Sequence, residues 1–167
     1  MEFSHVVHTF GPVYDTQSKI LILGSFPSVK SRENQFYYGH PQNRFWKVTA
    51  GIFGEETPVT IEEKKQFLLK NNIALWDVIA SCDIIGSSDS SIKNVVPNDM
   101  DEILKKAPIE RIYANGDKAY QLFLKYCKRD GMPQVYRLPS TSPANAAWNL
   151  ERLTMAWRER LFVEQDM

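Results

Sequence analysis

The stretch Lys19-Ile20-Leu21-Ile22-Leu23-Gly24-Ser25-Phe26 decides the fold. Its continuous apolar run has no polar face to offer water, so it reads as a strand covered on both sides. The Gly-Ser that follows marks the exit into a loop. Working outward, residues 73–78 (IALWDV), 111–114 (RIYA) and 134–138 (QVYRL) read as three further strands. Between them lie helical segments at 43–53, 60–70, 117–128 and about 147–163, with a shorter one capped by Asn98 or Asp99 and running to Lys106. The second of these carries a start signal, Thr60 followed three residues later by Glu63. Strands alternating with helices imply an α/β protein, a three-layer α/β/α arrangement around a central, mostly parallel four-stranded sheet. In such sheets ligands gather beyond the carboxyl ends of the strands. Function is therefore expected in the loops after the first, second and fourth strands.

Composition narrows the class. The 167 residues fit one domain, and 43% hydrophobic with 24% charged content is ordinary globular usage. No apolar run reaches the length of a membrane span, and the first residues lack the basic-then-apolar layout of a secretory signal, so the cytoplasm is the expected compartment. Two cysteines are too few for a disulfide framework or for the four thiolates of an iron–sulfur cluster. His5 and His8 can share a helical face, but no acidic or thiol neighbour stands at ligand spacing, so no metal is expected. Twenty basic residues balance twenty acidic ones, which leaves room only for a local positive strip if the partner is nucleic acid.

The loops hold the chemistry. After the first strand come Gly24-Ser25-Phe26-Pro27-Ser28 and, further on, Tyr37-Tyr38-Gly39-His40-Pro41-Gln42-Asn43-Arg44-Phe45-Trp46. Gly24 permits close backbone approach to a ligand. Phe36, Tyr37 and Tyr38 either stack on a base or cap the core beneath the loop. Asn43 either caps the helix that follows or presents an amide that positions a water. Arg44 and Lys47 either touch phosphate or are solvated charges. His40 either orders its loop or contacts DNA. The fourth loop, Leu138-Pro139-Ser140-Thr141-Ser142-Pro143-Ala144-Asn145, is either a rigid strand-to-helix connection or a grip for phosphate. The serine-rich 87–91 stretch reads as an anion site or as plain surface.

Together, GSFPS, YYGHPQNRFW and PSTSPANA resemble the uracil-DNA glycosylase superfamily, and within it the hypoxanthine-DNA glycosylase family. The matching stretches run from the first strand to the last helix. The resemblance implies a monofunctional hydrolase; with no cofactor, metal or iron–sulfur cluster expected and nothing in the sequence demanding a dimer, a monomer is expected. It would flip a deaminated base, most specifically hypoxanthine, out of damaged DNA and cut its N-glycosidic bond. It implies Asn43 as the catalytic amide, because Phe26 stands where related enzymes carry a water-handling Asn or Asp. Gly24, Ser25, Phe26, Tyr38 and Asp77 are then base-binding. Ser28, His40, Arg44, Ser140, Thr141, Ser142 and Pro143 contact DNA, with Pro143 as a wedge. Leu138 stands where uracil enzymes begin this motif with a base-stabilising His. Asp77 occupies the place of an Asn that reads uracil; a carboxylate accepts the N1–H of hypoxanthine but cannot donate to O6. Alternatively Asp77 caps a turn or pairs with a basic side chain. Lys30 has no neighbour that would activate it for Schiff-base chemistry. The rivals are an enzyme of the same superfamily acting on uracil or mismatches, and a non-catalytic DNA- or nucleotide-binding module on that fold.

Overall fold

The computed structural model of the chain describes residues 2–163. Its strands in chain order are β1 (Ser4–Val7), β2 (Ile20–Gly24), β3 (Ile73–Asp77), β4 (Ile79–Ile84), β5 (Lys93–Pro97), β6 (Arg111–Asn115) and β7 (Val135–Leu138). The helices are α1 (Val29–Asn34), α2 (Phe45–Phe53), α3 (Ile61–Lys70), α4 (Asp101–Leu104), α5 (Asp117–Tyr126) and α6 (Leu150–Arg158). Four strands form an all-parallel sheet in the order β3-β2-β6-β7, the α/β arrangement expected from the sequence. Leu21, Ile22 and Leu23 of β2 are wholly buried, as their unbroken apolar run requires. Helix α3 packs on β3, α5 on β6 and β7, and α2 on α6.

Local chemistry sets the helix limits. Thr60 and Glu63 form a reciprocal capping box at the start of α3, as the spacing predicted. Helix α2 buries Phe45, Trp46, Val48, Ala50 and Ile52 and ends at Gly54. Gly54 takes φ 66° and donates its N–H to Ala50 O, a left-handed stop. The expected long last helix starts later, at Leu150, because the Asn149 side chain accepts from Arg152 N and fixes the first turn there. It passes into a π turn over Glu159–Val163. The helix expected from residue 98 or 99 to 106 shrinks to α4, with Asp99 Oδ1 accepting from Asp101 N just ahead of it. The loop after β2 contains the short helix α1, capped by the Ser28 hydroxyl, which the sequence reading did not anticipate.

A second sheet departs from the expectation. Strands β1, β4 and β5 form an antiparallel sheet in the order β1-β4-β5. Strand β4 follows β3 after a single residue, and Val78 N and Ile79 N donate to Gly24 O and Ser25 O. The step between the sheets thereby pins the exit of β2. His5 and His8 lie on extended chain instead of a helix face, and each pairs with a carboxylate remote in sequence, His5 with Asp83 and His8 with Asp77. No helix among the described residues is long and apolar enough to cross a membrane.

Candidate active site

The carboxyl ends of the parallel strands open into a cavity of about 330 Å³, at the low end of ligand-pocket sizes. Gly24 closes β2, Asp77 closes β3, Asn115 closes β6, and Ser140 follows β7; all four line it. Strand order reverses between β2 and β6, the crevice position at which parallel sheets bind ligands. Of the residues given a catalytic, base-binding or DNA-binding role from the sequence, all but Arg44 line this cavity.

The β2–β3 side carries a buried polar cluster. His8 Nε2 donates to Asp77 Oδ2 at 2.8 Å, with 3% and 5% of the two side chains exposed. Aromatic rings of Phe10, Phe26 and Tyr37 surround the imidazole. The other Asp77 oxygen lies against Gly24. A methyl group there would come 2.5 Å from Asp77 Oδ1 and 3.1 Å from the Tyr38 hydroxyl, so only glycine leaves these groups room. Tyr38 adopts φ 51°, a left-handed conformation uncommon for a bulky residue, and stacks its ring on Phe45 with centroids 4.2 Å apart. Burial, and secondly the Asp77 charge, push its phenol far above the ordinary range although the Asn115 amide pulls the other way. The proton stays on. The sequence reading weighed His8 only as a metal ligand beside His5 and missed its pairing with Asp77, 69 residues away.

Asn43 sits in a one-directional hydrogen-bond chain. Its Oδ1 accepts from Phe45 N at 2.9 Å and from the Thr141 hydroxyl at 2.9 Å. Thr141 Oγ1 in turn accepts from Asn115 Nδ2 at 3.0 Å, and Asn115 Oδ1 accepts from Thr141 N at 3.1 Å. Backbone N–H groups can only donate, so both amides have a fixed orientation. Both lone pairs of Asn43 Oδ1 are engaged, and its Nδ2 hydrogens meet no protein partner among the described residues. Asn43 thus bonds the backbone N–H two residues on, in a turn just ahead of α2, whose N-cap is Arg44 and not Asn43, and it lines the cavity as well.

Arg44 departs from its expected DNA contact. Its guanidinium donates to the carbonyls of Thr141, Ser142, Asn145 and Trp148, and its backbone N–H to Thr141 O. It braces the loop after β7 from within, because that loop turns its carbonyls inward over the start of α2. Leu138 is wholly buried and does not line the cavity; Ser140 and Thr141 do. Ser142 N donates to Ser140 Oγ and Ala144 N to Ser142 Oγ, so these hydroxyls shape the turn that carries Pro143. His40 Nδ1 accepts from Gln42 N, the loop-ordering role, while also lining the cavity. The serine-rich stretch brings Asp89, held by the Ser25 hydroxyl at 3.1 Å, and Ser87, which accepts from Val29 N. Sequence reading had not singled out Asp89, whose approach depends on the 3-10 turn at Asp89–Ser91. Lys30 pairs with Glu33 at the surface. No group of three His, Cys, Asp or Glu among the described residues is arranged to hold a metal.

Comparison with known proteins agrees with this architecture. The family model described as the uracil DNA glycosylase superfamily matches residues 12–161. A hypoxanthine DNA glycosylase of Methanosarcina acetivorans is 38% identical over 148 residues, covering 86% of this chain and 90% of the relative. One of Methanosarcina barkeri is 36% identical over 112 residues, covering 66% and 71%. A solution NMR structure of a Methanosarcina acetivorans protein, given as a candidate uracil DNA glycosylase, superposes with a TM-score of 0.73 at 35% identity. It covers 89% of this chain and 92% of that one. The chain belongs to the uracil DNA glycosylase superfamily.

Proposed function

We propose that the chain is a monofunctional DNA glycosylase that removes hypoxanthine from damaged DNA. The observation that carries the reading is the convergence of Asn43, Asp77 and the loop of residues 140–143 on one cavity. Two relatives named as hypoxanthine DNA glycosylases support the choice of base. A base inside a duplex is out of reach, so the nucleotide must swing into the cavity; deaminated bases pair weakly, which lowers that cost. The Tyr38 and Phe26 rings supply apolar walls, Asp77 Oδ1 accepts N1–H, and Gly24 and Ser25 form the adjoining wall. The turn around Ser140, Thr141 and Ser142, with Ser28 and His40 across the mouth, faces the sugar–phosphate chain, and Pro143 fills the place of the extruded base.

Cleavage of the N-glycosidic bond sends its electron pair to the departing purine and leaves a cationic sugar. Water then bonds to C1′ and releases a proton to solvent. With both lone pairs of Oδ1 engaged, Asn43 holds this water through its N–H groups. An amide is a poor base, so catalysis rests on placement and on the electrostatics of the cavity, more than on proton abstraction. None of the cavity residues is a lysine, which supports hydrolysis without Schiff-base strand cleavage. The test is incubation with duplexes carrying one inosine, uracil or xanthine, read as alkali-labile abasic sites. Fastest cleavage at inosine, with no strand scission before alkali, is expected. Preferred cleavage at uracil would overturn the choice of base, and no cleavage on any duplex would overturn the enzyme reading.

A further inference from the structure

An ionised carboxylate matches only half of hypoxanthine's pairing edge, which sets an N1–H donor beside an O6 acceptor. Three features of Tyr38 point to the missing half. Its hydroxyl is buried and has no hydrogen-bond partner of proper geometry, an exception that native proteins rarely leave unexplained. Its backbone holds the left-handed φ of 51°, the kind of strain that gathers at functional sites. The hydroxyl and Asp77 Oδ1 crowd the same side of Gly24, both against the space a methyl group would fill. A donor and an acceptor therefore both stand against Gly24 at the carboxyl end of β2, and both residues line the cavity.

His8 makes the acceptor permanent. Its Nε2–H occupies Asp77 Oδ2, which leaves Oδ1 as the oxygen turned toward Gly24 and Tyr38. The aromatic rings of Phe10, Phe26 and Tyr37 close around the imidazole and restrict its rotation. The strand that carries it is itself fixed, since His8 N donates to Ala80 O at 2.7 Å.

We propose that Tyr38 donates its phenolic hydrogen to O6 while Asp77 Oδ1 accepts N1–H, and that His8 is the positioning residue that keeps Asp77 in this role, so that three residues form one reader for the lactam edge of hypoxanthine. Adenine reverses the pattern: its N1 lone pair faces the carboxylate and finds no hydrogen. Adenine is thereby refused by repulsion. The inference rests on the reading of the cavity as a hypoxanthine site.

The test combines single-turnover excision from an inosine duplex with calorimetric binding of free hypoxanthine, for the wild type, Tyr38→Phe, His8→Phe, His8→Gln and Asp77→Asn. Tyr38→Phe keeps the ring on Phe45, so its melting temperature should hold while excision and hypoxanthine affinity each fall about 10- to 100-fold, the effect of leaving a buried polar group unmatched. His8→Phe should slow excision similarly, His8→Gln should restore much of the rate through its N–H, and His8→Phe should add nothing in the Asp77→Asn background. Full excision by Tyr38→Phe would overturn the donor role. An additive loss in the double variant, or no rescue by Gln, would overturn the positioning role. If the wild type makes no abasic site at inosine, the glycosylase reading fails, and the binding measurements still decide the reader: tight hypoxanthine binding lost in Tyr38→Phe upholds it, and no binding removes it.

Discussion

Replacing Thr141 with valine removes a hydroxyl and leaves shape almost unchanged, so its consequences follow from the hydrogen-bond chain alone. Thr141 is wholly buried. Its hydroxyl accepts from Asn115 Nδ2 and donates to Asn43 Oδ1. Each lost bond removes about 1 kcal/mol net, and the Asn115 N–H left without a partner adds about 1–3 kcal/mol. The variant should therefore unfold about 3–5 kcal/mol more easily, a large part of the stability of a chain this size. Asn43 would remain tied only through Phe45 N, free to rotate about that bond. Displacement of a reacting group by about 1 Å lowers rates up to about 100-fold, so single-turnover excision should fall about 10- to 100-fold, with substrate affinity little altered. Chemical denaturation and single-turnover kinetics, with Thr141→Ser as the control that keeps the hydroxyl, measure both quantities. Wild-type excision by a Thr141→Val protein that is destabilised as expected would refute the claim that this chain aims Asn43.

Two further outcomes follow from packing and burial. Gly24→Ala should fold with a loss of about 1–3 kcal/mol and lose most excision activity, because its methyl group meets Asp77 Oδ1 at 2.5 Å and His8 holds the other oxygen; melting curves and abasic-site yield check it. Burial pushes the Cys127 thiol up to about 11, so at pH 8 about one molecule in a thousand carries the thiolate. Alkylation of this half-buried residue by iodoacetamide should be slow in the native protein and fast after unfolding, and rapid native labelling would contradict the raised thiol.

The strands of the parallel sheet were legible because a buried strand needs an unbroken apolar run, and β2 has one. Strands β1 and β5 are short and largely exposed, and β4 mixes buried and polar positions. Their pairing joins residues 4–7 to 81–84, a long-range choice that no local pattern encodes. That sheet carries His8 to Asp77, so the missed strand and the missed site residue share one cause. Arg44 was misplaced for a different reason: charge alone does not reveal whether a guanidinium meets phosphate or backbone carbonyls, and the carbonyls it meets lie on a loop about 100 residues on. Asn43, Asp77 and the 140–143 loop could be singled out because they lie in short motifs at the ends of parallel strands or on the loops that follow them.

The most direct test compares abasic-site formation by the wild type and Asn43→Ala on a duplex with a single inosine, alongside DNA binding and melting temperature. The account predicts alkali-labile cleavage at the inosine by the wild type, and its loss by at least about 100-fold in a variant that still folds and binds DNA. Equal cleavage by both proteins would contradict the assignment of Asn43, and silence from a well-folded wild type would contradict the account as a whole.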